Sequence, residues 1–227
     1  MSSTASLDNQ RPSASRWAPL SGIAFVVFFV GSVVASAPPA DNAPDREWIA
    51  AYTSHAKQIG HLATGILLVL AALSLMTLLV TLWTRVAQAR RPASLNPLPL
   101  VAAGVAAACI SIGGVLMAGI SGAMLTGSAP LPSVELLRFG NDIGFGAVGL
   151  GGMLATALSV ACLSVQAHSA HVFGRKMMIF GLAVAVILLG ALAFVPIVAL
   201  LIWLVVVSIT LIRSGADASS APISRWS

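Results

Sequence analysis

Residues 177–212 read MMIFGLAVAVILLGALAFVPIVALLIWLVVVSITLI, an unbroken run of 36 residues without a charge. As one straight helix it would be ~54 Å long against ~30 Å of bilayer hydrocarbon, and would push roughly 16 apolar residues into water. Pro196 stands near its midpoint, lacks an N–H and clashes with the preceding turn. The run therefore reads as two spans, 177–193 and 196–212, joined by a tight hairpin at residues 193–195. Each would hold about 17 residues, the short end of what crosses a membrane.

Outward from this hairpin, four further apolar tracts occupy 19–37, 59–83, 98–126 and 143–167, giving six spans. The bulk composition agrees, with 58% hydrophobic and 8% charged residues, where a soluble domain carries about 25% charge. The basic residues set the orientation, because cytoplasmic loops hold the excess of Lys and Arg. With six spans and both termini inside, nine basic residues (Arg11, Arg16, Arg85, Arg90, Arg91, Arg175, Lys176, Arg213, Arg225) are cytoplasmic, and only Arg46, Lys57 and Arg138 lie outside. Asp8 and Asp217 fall inside, while Asp41, Asp45, Glu47, Glu135 and Asp142 fall outside, so the two faces carry +7 and −2 of the chain's net +5. The fold class is an all-α polytopic transmembrane helical bundle of the cell membrane, six spans, both termini cytoplasmic. The basic residues are spread over short loops, so no nucleic acid partner is implied and membrane lipid is the expected surroundings.

Residues 1–16 read as a disordered cytoplasmic tail, 17–213 as one transmembrane domain, and 214–227 as a second tail. The N-terminal tract mimics a secretory signal ending at Ala35-Ser36-Ala37, but it is longer than a signal core and Pro38 would follow the scissile bond. It is expected to stay as the first span. Cys109 and Cys162 fall inside spans, as small packing residues and not a disulfide framework.

Two outer segments carry helix-start signals. After the proline-rich 38–44, Asp45 offers an N-cap, and Trp48, Ala51, Tyr52, His55 and Ile59 recur at helical spacing, predicting a helix that runs straight into the second span. Pro130 and Pro132 precede Ser133, an N-cap with Glu135 in the first turn of a helix continuing into the fourth span. The two pre-helices are expected to be neighbours.

Spans three and four are rich in small residues. Gly104, Ser111, Gly114 and Gly122 share one face of the third, and Gly140, Gly144 and Gly151 one face of the fourth, with Gly149, Gly152, Thr156 and Ser159 on a second. Such spacing lets helix backbones approach closely in lipid. Intramolecular packing with the fourth span central is the expectation; a homo-oligomer or a partner membrane protein held through spans three and four is the alternative.

Asn141 and Asp142 form the one strongly polar pair beside a span, at its outer end, with Tyr52, His55 and His61 as outer-face neighbours. Either they make structural hydrogen bonds, with Asp142 paired to Arg46, Lys57 or Arg138, or they form a ligand site. His55 and His61 are six residues apart, about 120° out of phase on a helix, so they cannot share a metal. His168 and His171 sit beside Arg175 and Lys176 with no carboxylate near, and haem would need facing histidines at one depth. No metal, no cofactor and no catalytic motif is read.

Ala18-Pro19-Leu20-Ser21-Gly22 opening the first span, Ala51-Tyr52-Thr53-Ser54-His55 before the second, Asn141-Asp142 leading the fourth, the Pro196 hairpin, and Trp203, Ser208 and Arg213 in the sixth together resemble a group of uncharacterised six-span membrane proteins common in actinobacteria. That resemblance implies the arrangement of spans and no activity. The functional expectation is a non-enzymatic accessory or interaction subunit or small-ligand sensor. Its alternative is a small-solute transporter, proton-coupled, with Asp142 as the titrating group.

Overall fold

A computed structural model describes residues 18–36, 38–40, 42–89, 95–127, 130–190 and 195–220. The expectations for the tail 1–16, for Arg90, Arg91, Arg225 and Asp41, and for residues 193–194 lie outside these residues. Among the described residues every regular element is helical. A 3-10 turn, Ala18–Leu20, leads into α1 (Ser21–Ala35), followed by α2 (Asp45–Thr53), α3 (His55–Ala89), α4 (Leu98–Leu125) and α5 (Val134–Gly146). A π-helical segment, Ala147–Gly152, joins α5 to α6 (Met153–Ser169), and α7 (Arg175–Leu188) and α8 (Val195–Ser220) complete the chain. Five runs, Ala18–Ala35, His55–Ala89, Leu98–Leu125, Val134–Ser169 and Pro196–Arg213, are long and apolar enough to cross a membrane.

The tract 177–212 is two helices. Gly181 approaches Trp203 and Gly190 approaches Pro196, so α7 and α8 run antiparallel. The chain leaves α7 at Leu188, ahead of the expected residues 193–195. The amides of Leu189 and Gly190 close onto the carbonyls of Val186 and Ile187 at 3.1 and 3.0 Å, ending α7 in a tightened last turn, and Val195 already belongs to α8. Pro196 thus acts as a helix starter, in the first turn where its missing N–H goes unneeded. With 14 residues α7 is ~21 Å long, shorter than the other runs and than the 17 residues expected. At the far end α8 stays helical to Ser220, where an unstructured tail from 214 was expected.

The two ends of the bundle differ. Gly22 of α1 lies against Leu78 and Ser208, Arg85 donates to the Leu211 carbonyl at 3.0 Å, and Gln166 donates to the Asn96 carbonyl at 3.2 Å. The start of α1 and the last turns of α3, α6 and α8 therefore share one end, which also carries Arg175 and Arg213. The opposite end holds α2 and the start of α5. At the basic end His171 turns the chain between α6 and α7 in a left-handed conformation (φ 57°), and His168 is tied to the Phe173 carbonyl at 3.1 Å, so both belong to a helix stop.

The seams are built from glycine because lipid offers helices no hydrophobic reward for meeting, leaving close van der Waals contact to hold them. A Cβ on Gly65 would stand 2.7 Å from the Gly114 carbonyl, which fixes α3 on α4; one on Gly113 would stand 2.6 Å from the Gly144 carbonyl, which fixes α4 on α5. Helix α4 is thus held on two sides. Gly140 and Gly122 make looser contacts, to Ile120 and Leu62, and Gly104 meets nothing within 4 Å. Ser111 is half-buried. Gly151 meets Cys109 and the next residue, Gly152, meets Ile110, so two consecutive residues face α4. Both lie in the wide π segment, which lets the helix present them together.

Candidate functional site: a polar-walled cavity

The chain does not run straight from α2 into α3. Ser54 is extended (φ −73°, ψ 118°) and breaks the helix, and its carbonyl accepts from the Gln58 amide to start α3. The break frees the carbonyl of Tyr52, which the Gln58 side chain satisfies at 2.6 Å. This folds α2 over the bundle end. There Trp48, Ala51, Tyr52 and Ala43 pack with Leu137 of α5 in a cluster separate from the main core. Arg138 fastens it, donating at 2.9 Å to both the Ala43 carbonyl and Asp45 and lying 5.8 Å over the Trp48 ring. The N-cap of α2 is Pro44, with Asp45 one residue inside the helix and engaged by Arg138, whereas Ser133 does cap α5, accepting from the Leu136 amide.

Beneath α2 lies a cavity of about 630 Å³. Its walls come from α1 (Phe29, Ser32, Val33), α3 (His61, Thr64, Leu68), Met117 of α4 and the α5–π segment, with Tyr52 above and Ile197 of α8 below. The α7–α8 hairpin explains the space. Its turn precedes Ile197, which shares the cavity with Phe29 and Leu68, positions about two helical turns in from the end of α1 and about three and a half in from the start of α3. No helix of the hairpin fills the room above. Helix α1 packs on α3 and α8, whereas α5 packs on α4 and α2. Val33 and Phe145, on opposite walls, are also 50% and 38% exposed, so the cavity opens sideways between α1 and α5.

Four of the five residues singled out in the sequence as a ligand site line this cavity: Asp142, Asn141, His61 and Tyr52. His55 does not. It is exposed at the start of α3, because the Ser54 break and the phase difference from His61 turn it away. Burial pushes the Tyr52 phenol above its ordinary pKa, so it is a neutral hydroxyl. The Tyr52 and His61 rings lie 4.7 Å apart, and His61 Nδ1 is 2.8 Å from the Ser121 hydroxyl, which leaves its Nε2 side for the cavity. Thr64 donates to the Ser32 carbonyl at 3.0 Å, tying α1 to α3 at the wall. Asn141 is 6% exposed, and its side chain has no hydrogen-bond partner among the described residues. Asp142 makes no ion pair among them either: of the three cations considered for it, Arg138 is taken by Asp45.

Ser121, Thr64 and Ser32 were not legible as site residues, since each is an isolated hydroxyl in an apolar helix. The π segment had a signal, four glycines at 146, 149, 151 and 152 within seven residues. Comparison with known protein families, curated proteins and solved structures gives no match for this chain.

Proposed function

We propose that the chain is a six-span protein of the cell membrane, with both termini cytoplasmic, that binds a small ligand in the cavity under α2 and acts as a non-enzymatic sensor or accessory subunit. The six-span layout is supported by the antiparallel α7–α8 hairpin and by the shared basic end of α1, α3 and α8, which suits the cytoplasmic side. The cavity then lies in the outer half of the membrane. Membrane lipid is the medium it opens to. For a second copy or a partner protein, α4 keeps Gly104 and Gly119 free of neighbours after its other glycines are used internally.

The observation that carries the ligand reading is the volume, in the ~300–1,000 Å³ range of small-molecule sites, with few polar groups converging on an otherwise apolar wall. Gly146 lines it, and a Cβ there would meet nothing within 4 Å. Gly146→Phe, together with Val33→Trp from the opposite wall, should fill the space without unfolding the protein. In nanodiscs, saturable binding of radiolabelled decanol should fall about tenfold or more, a loss of ~1.4 kcal/mol or more, with unchanged thermal stability. Undiminished saturable binding in the double variant would refute the cavity as the site.

A second reading, a proton-coupled small-solute transporter with Asp142 titrating, is favoured by that carboxylate standing unpaired at the cavity wall. It requires a rearranged state, because the lining residues of α1 and α3 reach inward only to Phe29 and Leu68. Asp142→Asn would then abolish pH-dependent uptake into vesicles.

A further inference from the structure

Resting on the cavity as the ligand site, we infer the class of ligand: an amphiphile with a single apolar chain and a cationic head, taken laterally from the outer leaflet. The two parts of the cavity ask for different chemistry. Its inner part is walled by Phe29, Leu68, Val148 and Ile197, side chains that offer a hydrocarbon chain dispersion contact and nothing polar. Its outer part holds the Asn141 amide and the Asp142 carboxylate on adjacent residues of α5, facing the Tyr52 hydroxyl and His61.

Two groups at that end, the buried Asn141 and the exposed Asp142 at the rim, bear on the sign of the head. The Asn141 side chain is more than nine-tenths buried, lines the cavity and makes no hydrogen bond among the described residues, so its amide is open to pair with a ligand or water there. Asp142 adds a carboxylate that accepts hydrogen bonds and donates none. The cation one helical turn away, Arg138, is held off by Asp45 and the Ala43 carbonyl, and Lys57 is exposed at the start of α3 and outside the lining. An ammonium head gives Asp142 a counter-charge and leaves the Asn141 oxygen a donor to accept from; a sulfate or phosphate head would meet the carboxylate with like charge. The route follows from the opening between Val33 and Phe145, which faces acyl chains in the proposed layout.

The probe is radiolabelled decylammonium, whose N–H groups can donate, bound to the full chain in phosphatidylcholine nanodiscs, with decanol, unlabelled decylammonium, decyltrimethylammonium, decyl sulfate and tetramethylammonium as competitors. Saturable binding is expected, with the decyl cations displacing the probe at about tenfold lower concentration than decanol, the scale of one charge-assisted contact. Decyl sulfate should compete more weakly than decanol. Asp142→Asn should erase the preference for the cation over decanol while decanol binding stays within about twofold, and Asp142→Glu should restore it. Equal competition by decanol and decylammonium in the wild type, or a preference untouched by Asp142→Asn, would overturn the cationic head and leave the cavity reading intact. Tetramethylammonium competing as well as the decyl cations would point to a water-borne cation and overturn the amphiphile. No saturable binding of the cation or of decanol would remove the cavity reading itself.

Discussion

Gly113→Ala should lower the stability of the bundle by ~2–3 kcal/mol, the upper part of the range for overpacking a closed interior. A Cβ at this position would stand 2.5 Å from a γ-methyl of Val148 and 2.6 Å from the Gly144 carbonyl. Neither neighbour can give way cheaply, since Val has one stiff χ1 and the carbonyl is part of the adjoining helix. The two helices must separate. Gly104→Ala and Gly119→Ala are the controls. A Cβ at either meets nothing within 4 Å, so both should fall within about 0.5 kcal/mol of the parent or gain up to ~1 kcal/mol from helix propensity. Unfolding of the three variants in mild detergent separates these outcomes, and equal losses would mean that the seam is not where α4 and α5 meet.

Trp48→Ala should release α2 while the bundle stays folded. Truncating a fully buried Trp costs ~3–5 kcal/mol, and Trp48 is 0% exposed. Its cluster holds only Ala43, Ala51, Tyr52 and Leu137 at its centre and is not continuous with the main core, so the loss is local. The Arg138–Asp45 pair will not compensate, because half-exposed ion pairs contribute little and the Arg138 contact to the Trp48 ring goes too. Hydrogen exchange should accelerate by about 100-fold or more across residues 45–53, up to the limit set by local opening, and stay unchanged at residues 71–82 of α3. Ligand affinity should drop with it, as Tyr52 leaves the cavity. Protection of α2 that survives the substitution would show that the helix docks by other contacts.

The fold was largely legible because lipid imposes length and apolarity on any helix that crosses it, and the tracts 98–126 and 143–167 lie within a residue or within the limits of α4 and the Val134–Ser169 run. Proline and serine punctuation likewise located the start of α5. The hairpin was read to the right tract, with Val195 alone found in α8 instead of in the turn, because Gly190 and Pro196 both interrupt a helix and only packing shows that Gly190 follows the end of one while Pro196 begins the next. Glycine periodicity was weaker still. Gly104 and Gly114 share a face on paper, yet of the two only Gly114 meets another backbone, and the α3–α4 and α4–α5 seams also use Gly65 and Gly113, which spacing alone did not single out. The site was legible as a set of polar residues at one depth. What drops His55 from it is a single extended residue, Ser54, and what leaves Asp142 unpaired is the competition for Arg138 won by Asp45. Both are tertiary outcomes.

The account depends on sidedness, since the cavity serves the outer leaflet only if the chain crosses six times and returns its end to the cytoplasm. With Cys109 and Cys162 replaced by Ala, single cysteines at Thr53, exposed at the end of α2, and at Ser220, the last residue of α8, can be labelled with an impermeant maleimide. The account predicts that position 53 reacts in intact cells and that position 220 reacts only after permeabilisation. Labelling of position 220 in intact cells would contradict it.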